Sequence, residues 1–195
     1  MTTIHLSRDE RIGTILQATS EIVMESGVEA ATITSIATRS GVSRQWLYDF
    51  FPDVNAIFAA LYDEVQRKYF ATNPVALPRT ADFSEYVKRQ SSVYLTMPVA
   101  YAMVTSYALN GGSRSSSSAA ALREMMLQTF ETDWVAPLVE AGFGRDAVLG
   151  SILTVTNAAV GLNIAINEGL TSYEVAERRL HAIVDAIMGT ASDPA

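Results

Sequence analysis

The sequence predicts an all-α protein of about nine helices, and three features of its patterning support this fold class. Apolar residues recur at helical spacing along most of the 195 residues. Residues that favour helix N-termini, such as Ser7, Thr32 and Asp82, precede these apolar series. Valine and isoleucine are frequent, but they fall at helical spacing or in capped segments, so no convincing strand remains.

The composition favours a folded protein with a substantial core. The chain is 49% hydrophobic and 18% charged, and it contains no cysteine. The lack of cysteine excludes disulfides, thiol catalysis and cysteine metal sites, and it fits a cytoplasmic protein. The N-terminus lacks a basic stretch followed by an apolar one, and no apolar run approaches the roughly 20 residues that cross a bilayer. We therefore expect neither a signal peptide nor contact with a membrane.

The first helix is predicted to begin after Ser7 and to end before Gly27. Ser7 and Glu10 have the spacing of a capping box, in which each side chain bonds the backbone N–H of the other residue. An apolar stripe then runs from Ile12 to Val23. Glycine at position 27 suits the residue that follows a helix.

Two short helices joined by a glycine-containing turn follow. Thr32 is predicted to cap the first, over about residues 33–40, and Ser43 is predicted to cap the second, over about residues 44–50. Gly41 marks the turn between them. This layout is typical of a helix-turn-helix, which places its second helix in the major groove of DNA.

Pro52 separates two predicted domains. Residues 1–52 form the helix-turn-helix domain in this prediction, and residues 53–195 form a larger helical domain. The larger domain is divided into six helices, the first of which Asp53 can cap. Its dividing segments include the proline-bounded connector 73–78, a break at Pro98 and the serine-rich segment 113–118. These helices cover about residues 54–71, 83–97, 99–109, 119–138, 145–168 and 171–188.

Small residues form a nearly continuous stripe along the predicted helix 145–168, and the final helix carries an apolar face. A small-residue stripe lets a second helix approach closely. Two adjacent apolar helices can also meet their symmetry copies in a four-helix interface. We predict that these two helices form a homodimer interface, and the alternative is that their small and apolar residues pack inside the chain. The predicted interface residues are Gly150, Thr154, Ala158, Gly161, Ala165, Leu180, Ile183 and Ile187.

Aromatic residues and methionines are concentrated in the middle helices. A cavity lined by such side chains, with a few polar groups, suits an apolar or aromatic small molecule. The alternative is that each of these residues belongs to an ordinary core. The candidate ligand-binding residues are Tyr86, Tyr94, Met97, Tyr101, Met126, Phe130, Trp134 and Asn157.

The sequence predicts neither an enzyme nor a cofactor or metal site. It has no glycine-rich phosphate loop, no His-Glu-x-x-His zinc motif and no Gly-x-Ser-x-Gly elbow. Its two histidines are His5, near the N-terminus, and His181, beside charged residues on the final helix. A helical-bundle enzyme stays an alternative that would require a convergent cluster of titratable side chains in a pocket.

Residues 11–58 resemble the N-terminal DNA-binding domain of the tetracycline-repressor (TetR) family. The matching elements are the helix that ends at Gly27, Thr32-Ile33, Gly41-Val42-Ser43, and Leu47-Tyr48 followed by Phe51. The resemblance implies a homodimeric transcriptional regulator, usually a repressor, that binds a pseudo-palindromic DNA operator. It also implies that residues 53–195 form a ligand-binding and dimerisation domain, whose small-molecule effector changes the spacing of the two DNA-binding domains.

The resemblance further assigns DNA-binding roles to six residues. Thr32 and Tyr48 would contact phosphates. Ser43 would cap the recognition helix near the DNA backbone. Arg44, Gln45 and Trp46 would face the groove.

Three residues depart from the family's usual pattern. Phe50 stands where a histidine or tyrosine is common, Val54 where a lysine often holds the DNA backbone, and Trp46 where a small residue is frequent. Residues 1–52 hold four arginines and six acids, and the net charge of the chain is −7, whereas phosphate binding usually relies on clustered cations. The alternative function is therefore a helical dimer that binds a ligand or a protein partner, with weak or lost DNA binding.

Overall fold

The computed structural model describes residues 7–69, 83–110 and 117–191, and the regular secondary structure in these ranges is entirely helical. This confirms the all-α prediction. The described part of the chain contains nine helices, since the π-helical turn Glu131–Val135 and the segment Ala136–Glu140 continue α7. The helices are α1 (Arg8–Ser26), α2 (Ile33–Ser40), α3 (Arg44–Phe50), α4 (Val54–Tyr69), α5 (Phe83–Tyr94), α6 (Val99–Leu109), α7 (Ser117–Phe130 and its continuation), α8 (Arg145–Asn167) and α9 (Tyr173–Ala191).

The first three helices pack around a shared apolar core and are called the head below. Ile15, Ile36 and Leu47, one from each helix, are fully buried. A 3-10 turn, Val28–Ala30, joins α1 to α2 and buries Val28. Burial of one apolar residue from each helix fixes which face of α3 remains outside.

Local hydrogen bonds determine where α2 and α3 begin. The Thr32 hydroxyl accepts the backbone N–H of Ser35 at 3.1 Å, and the Ser43 hydroxyl accepts that of Trp46 at 3.2 Å. Gly41, between the two helices, has a φ of 70° in the left-handed region. Both predicted caps and the predicted turn are therefore confirmed.

The helix α4 packs against both parts of the molecule. Asp53 begins it as predicted, because its carboxylate accepts the backbone N–H groups of Asn55 at 2.8 Å and Ala56 at 3.2 Å. Ile57 and Phe58 are buried, and the helix contacts α1 on the head as well as α6 and α7. A displacement of α4 would therefore be transmitted to the head.

The helices α5–α9 are called the carrier, and α8 packs against α5, α6 and α9. Asn163 on α8 is fully buried, and its amide donates to the carbonyl oxygens of Tyr94 at 2.8 Å and Met97 at 3.0 Å. These carbonyls lie where α5 stops and lacks helical partners. The break at Pro98 is confirmed, although α5 ends at Tyr94 and not at Met97 as predicted.

Two other boundaries differ from the sequence prediction. The helix α7 begins at Ser117, two residues before the predicted start, and its π-helical turn was not predicted. The wider turn changes the register between Phe130 and Leu138, and both side chains are buried. The predicted proline-bounded connector 73–78 and most of the serine-rich segment 113–118 lie outside the described residues.

The helix α8 corrects the expectation that no segment approaches membrane-spanning length. Arg145–Asn167 has 23 residues and is apolar enough to cross a membrane by length and composition alone. A third of its most apolar window is buried inside the protein, and the buried Asn163 amide bonds to α5. These contacts are those of a core helix that also has an exposed side.

Candidate nucleic-acid interface

The orientation of α3 is set by Leu47, which is fully buried. Because successive residues on a helix are about 100° apart, burial of Leu47 turns its neighbours outward. Tyr48 is 49% exposed, and Arg44, Gln45 and Asp49 are also exposed. Three of the predicted DNA-binding residues on α3 therefore lie on one accessible face.

The two capping residues lie beside this face. Thr32 and Ser43 are both exposed, and each occupies the N-terminus of a helix, where unpaired N–H groups favour an anion. Gln45 donates its amide to the Asp49 carboxylate at 3.2 Å. The face thus combines hydroxyl, amide, guanidinium and carboxylate groups, which are the groups that bind base edges and phosphates.

Trp46 lies on the flank of α3 that turns towards α1. Its ring is partly buried, and its centroid lies 4.2 Å from that of Phe50. The guanidinium carbon of Arg11 lies 5.5 Å from the Trp46 ring centroid, and that of Arg8 lies 4.7 Å from the Phe50 ring centroid. A role for Trp46 in the groove stays a prediction, and its observed contacts are with α1 and Phe50.

Several acids of the head are held by partners. The Glu25 carboxylate accepts two hydrogen bonds from Arg39, at 2.7 and 3.0 Å, and the bond to Arg39 lowers the pKa of Glu25. Glu21 lies 3.5 Å from the same guanidinium. The Glu10 carboxylate accepts the Ser7 backbone N–H at 2.7 Å, which lowers its pKa and confirms the predicted capping box. Glu21 and Glu25 are therefore partly neutralised by Arg39, while the lowered pKa keeps Glu10 ionised at the N-terminus of α1.

Seven of the eight candidate ligand-binding residues are buried between the carrier helices, and Asn157 is the exception. Asn157 is exposed on α8, where its amide donates to the Leu153 carbonyl at 2.8 Å and its carbonyl accepts from Asn110 at 3.4 Å. The inclusion of Asn157 among residues that line an interior cavity was therefore wrong. Its position on α8 turns it to the outer side, opposite the buried Asn163.

The buried aromatic residues include a hydrogen-bonded group that sequence reasoning missed in part. The Gln66 amide donates to the hydroxyls of Tyr62 at 2.8 Å and Tyr101 at 2.9 Å, and the two tyrosine rings stack at 5.1 Å. Burial raises the pKa of Tyr101 well above its ordinary value, so its hydroxyl stays protonated. The Thr105 hydroxyl, fully buried on α6 beside Tyr101, has no hydrogen bond of good geometry in the described structure. Tyr62 and Gln66, both on α4, were not among the predicted ligand-binding residues.

A cleft of about 370 Å³ lies between α1, α4 and α6. Leu16 on α1, Leu61 and Val65 on α4, and Tyr101 on α6 contribute to its wall. Tyr101 is the candidate ligand-binding residue that borders it. The volume is within the range of small-molecule sites, which extends from about 300 to 1,000 Å³.

The small-residue stripe of α8 faces outward. Gly150, Thr154 and Gly161 are exposed, and a Cβ atom built on either glycine would meet no atom of the described residues within 4 Å. Packing inside the chain therefore does not explain these glycines. The prediction for Leu180 was wrong, because this residue is fully buried within the protomer together with Val184.

The remaining interface candidates are partly exposed. Ala158, Ala165, Ile183 and Ile187 all keep some accessible surface. Together with the stripe, they leave an accessible, weakly polar face along α8 and α9. The geometry thus defines a helix-turn-helix head joined through α4 to a helical carrier with one uncovered side.

Comparison with known proteins specifies this class further. Residues 15–61 match the family model described as bacterial regulatory proteins, tetR family. Over 56 residues, the chain is 41% identical to the HTH-type transcriptional activator FasR of Mycolicibacterium smegmatis. It is also 41% identical over 49 residues to an uncharacterised HTH-type transcriptional regulator of Mycobacterium tuberculosis. These matches cover 29% and 25% of this chain, and 26% of each relative.

Solved structures extend the likeness to the whole fold. A transcriptional regulator from Rhodococcus sp. RHA1 superposes with a TM-score of 0.69 at 22% identity, over 94% of this chain and 99% of the other. A TetR variant from Acinetobacter baumannii, solved in complex with minocycline, gives a TM-score of 0.61 at 16% identity, over 97% and 100%. Residues 15–61, which cover most of the head and the first half of α4, therefore match the TetR family by sequence, and the chain has the fold of the solved TetR-family regulators. The proteins matched over residues 15–61 and over the whole fold are described as regulators, which agrees with the prediction that this protein is not an enzyme.

Proposed function

We propose that this protein is a homodimeric transcriptional repressor that binds a pseudo-palindromic operator through α3 and is released by a small apolar or aromatic molecule. The observation that carries the proposal is the exposed face of α3, which is held outward by the buried Leu47. Arg44, Gln45 and Tyr48 on this face are suited to base edges and phosphates. Such a role would place the protein in the cytoplasm.

The effector site is proposed to lie where α4 meets the carrier, among buried aromatic residues. Tyr62, Gln66 and Tyr101 form a hydrogen-bonded group between α4 and α6, and the Thr105 hydroxyl beside them on α6 lacks a well-formed hydrogen bond. An aromatic molecule with a polar substituent would stack on the tyrosines and satisfy that hydroxyl. The minocycline-bound regulator, which has a similar fold, supports a small-molecule effector.

The proposed coupling between effector and DNA runs through α4. This helix carries Tyr62 and Gln66, and it also packs against α1 of the head. An effector that fits one position of α4 better than another shifts the population of head spacings. Binding of two half-sites on one duplex requires a single spacing, so that shift would release the operator.

The proposal is tested by Tyr48→Ala together with wild type. The DNA probe is a duplex of about 30 base pairs enriched by the wild-type protein from a random library, which accommodates two half-sites one helical turn apart. Tyr48→Ala should weaken binding to this duplex and leave thermal unfolding unchanged, because the side chain is exposed and off the core. Ala120→Gly, at an exposed position on α7, serves as the control for an unrelated surface change.

Equal DNA affinity of wild type and Tyr48→Ala would contradict the proposed use of α3. Failure of the random library to yield any enriched duplex would instead favour a helical dimer that has lost DNA binding. A reporter gene behind the enriched sequence gives the direction of regulation, and repression requires lower expression when the protein is present.

A further inference from the structure

The flank of α3 carries an arrangement that links two helices of the head. Arg8 and Arg11 lie one turn apart on α1, and Trp46 and Phe50 lie one turn apart on α3. Arg8 stands over Phe50 at 4.7 Å, and Arg11 stands over Trp46 at 5.5 Å. These four side chains form two adjacent cation–π pairs, which we call the arginine–aromatic ladder.

Both guanidinium groups keep their hydrogen-bonding edges free. In the described part of the chain, neither the Arg8 nor the Arg11 side chain has a hydrogen-bond or ion-pair partner, whereas Arg39 is bonded to Glu25. A guanidinium that lies over an aromatic ring still presents its N–H donors at its edge. These donors match the oxygens of a phosphate, which they can bind in a bidentate manner.

The ladder lies beside the exposed face of α3. On the helical wheel, Arg44 and Tyr48 lie on one side of Gln45, and Trp46 and Phe50 lie on the other. A recognition helix in the major groove is bordered by phosphates on both sides. The ladder is therefore positioned towards the phosphates opposite those that Tyr48 is expected to contact.

We infer that the Trp46–Phe50 pair holds Arg8 and Arg11 as a second phosphate-binding site that flanks the recognition helix. This inference rests on the proposed DNA-binding function. Trp46 and Phe50 are positioning residues, since they act through the two arginines. The ladder supplies cations beside the recognition helix, whereas Val54 at the start of α4 offers none. It also gives a structural role to Trp46 and Phe50, the two aromatic residues that depart from the family pattern.

The salt dependence of DNA binding distinguishes this site from general stabilisation of the head. The slope of log K against log salt concentration is negative, and each phosphate that a protein neutralises adds about 0.9 to its magnitude. The double variant Arg8→Gln/Arg11→Gln removes four cations from a DNA-bound dimer, two from each head, and should therefore lower the magnitude of that slope by about 3.6 on the enriched duplex. Its affinity at physiological salt should fall by about tenfold or more. The matched control, Arg89→Gln/Arg178→Gln, removes two exposed carrier arginines and should leave the slope unchanged.

The role of the aromatic pair is tested by Trp46→Leu/Phe50→Leu against Trp46→Phe/Phe50→Tyr. The first variant keeps both arginines and an apolar flank but lacks aromatic faces. The magnitude of the slope should therefore decrease towards that of the double arginine variant. The second keeps aromatic faces and should retain the wild-type slope. Thermal unfolding of each variant shows whether the head is intact.

Two results would overturn the inference while leaving the proposed function standing. An unchanged slope for Arg8→Gln/Arg11→Gln, with wild type still selecting its duplex, would show that the arginines do not bind phosphate. An unchanged slope for Trp46→Leu/Phe50→Leu would show that the aromatic pair does not position them. Absence of selective binding by wild type would contradict the proposed function itself.

Discussion

The backbone conformation favours glycine at two positions of the head. Gly41 has φ 70° and ψ 10°, which an L-residue can adopt at a cost of about 1 kcal/mol. Gly27 has φ 86° and ψ 167°, a conformation found essentially only for glycine. Gly13 lies inside α1, and a Cβ atom there would meet nothing within 4 Å.

The three alanine substitutions should therefore rank in a fixed order. Gly27→Ala should destabilise the protein most, by about 1–3 kcal/mol, and Gly41→Ala should cost about 1 kcal/mol. Gly13→Ala should stabilise it by about 0.5–1 kcal/mol, because alanine is the better helix former. Urea unfolding followed by circular dichroism measures all three, and a more harmful change at Gly13 than at Gly27 would contradict the described backbone.

The residues of the site differ in how far sequence alone could place them. Ser43 and Thr32 cap helices and Gly41 forms a turn through contacts within three residues, so the local pattern was sufficient to predict these capping and turn roles. The flanking position of Trp46 depends on Arg11, which is distant in sequence, and no local pattern indicates that contact. Asn157 and Leu180 were misplaced because apolar spacing does not reveal which side of a helix its partners cover.

At the scale of helices, the ion pair between Arg39 on α2 and Glu25 on α1 connects two elements of the head. The hydrogen bond from Arg39 lowers the pKa of Glu25 relative to its ordinary value. A carboxylate with a lowered pKa stabilises the folded state above its ordinary pKa of about 4.3, and this stabilisation is lost as the pH falls through the folded-state pKa. The bond thus contributes to stability at neutral pH and not in acid.

The variant Glu25→Gln should reduce the acid sensitivity of the protein. Between about pH 6 and pH 3, its free energy of unfolding should fall less than that of wild type, because one carboxylate linked to folding has been removed. Glu124→Gln, at an exposed position on α7 without an ion-pair partner in the described structure, should follow wild type. Parallel pH profiles for wild type and Glu25→Gln would show that the ion pair does not contribute.

The π-helical turn of α7 is a feature of the helix that the sequence did not predict. The sequence indicated one helix through this region, and the structure contains one, but the turn Glu131–Val135 adds a local widening that spacing rules do not describe. Tyr86 on α5 donates its hydroxyl to the Asp133 carbonyl at 3.2 Å within this turn. A contact between distant helices therefore accompanies the irregularity, and the local sequence carries no signal for it.

At the scale of the whole molecule, the uncovered face of α8 is the strongest indication of a second copy. Gly150 and Gly161 keep an open surface that would admit the backbone of another helix. An arginine at Gly161 has space in the isolated protomer but not in a close helix–helix interface. Leu180 differs, since any large polar replacement would enter the core of the protomer itself.

Gly161→Arg should therefore yield a folded monomer, whereas Leu180→Arg should yield an unfolded or aggregated protein. Sedimentation equilibrium gives the mass, and thermal unfolding gives the integrity of the fold. Wild type and the control Ala121→Arg, exposed on α7, should both sediment at twice the chain mass. A monomeric wild type, or a Gly161→Arg variant that remains dimeric, would contradict the proposed interface.

The central claim is that the head reads DNA as part of a dimer, and one titration tests it most directly. Wild-type protein is titrated into its library-enriched duplex and into a scrambled duplex of equal length and composition at physiological salt. Binding to the enriched duplex should be at least about a thousandfold tighter, with two protomers on each duplex. Equal affinity for the two duplexes would contradict the claim.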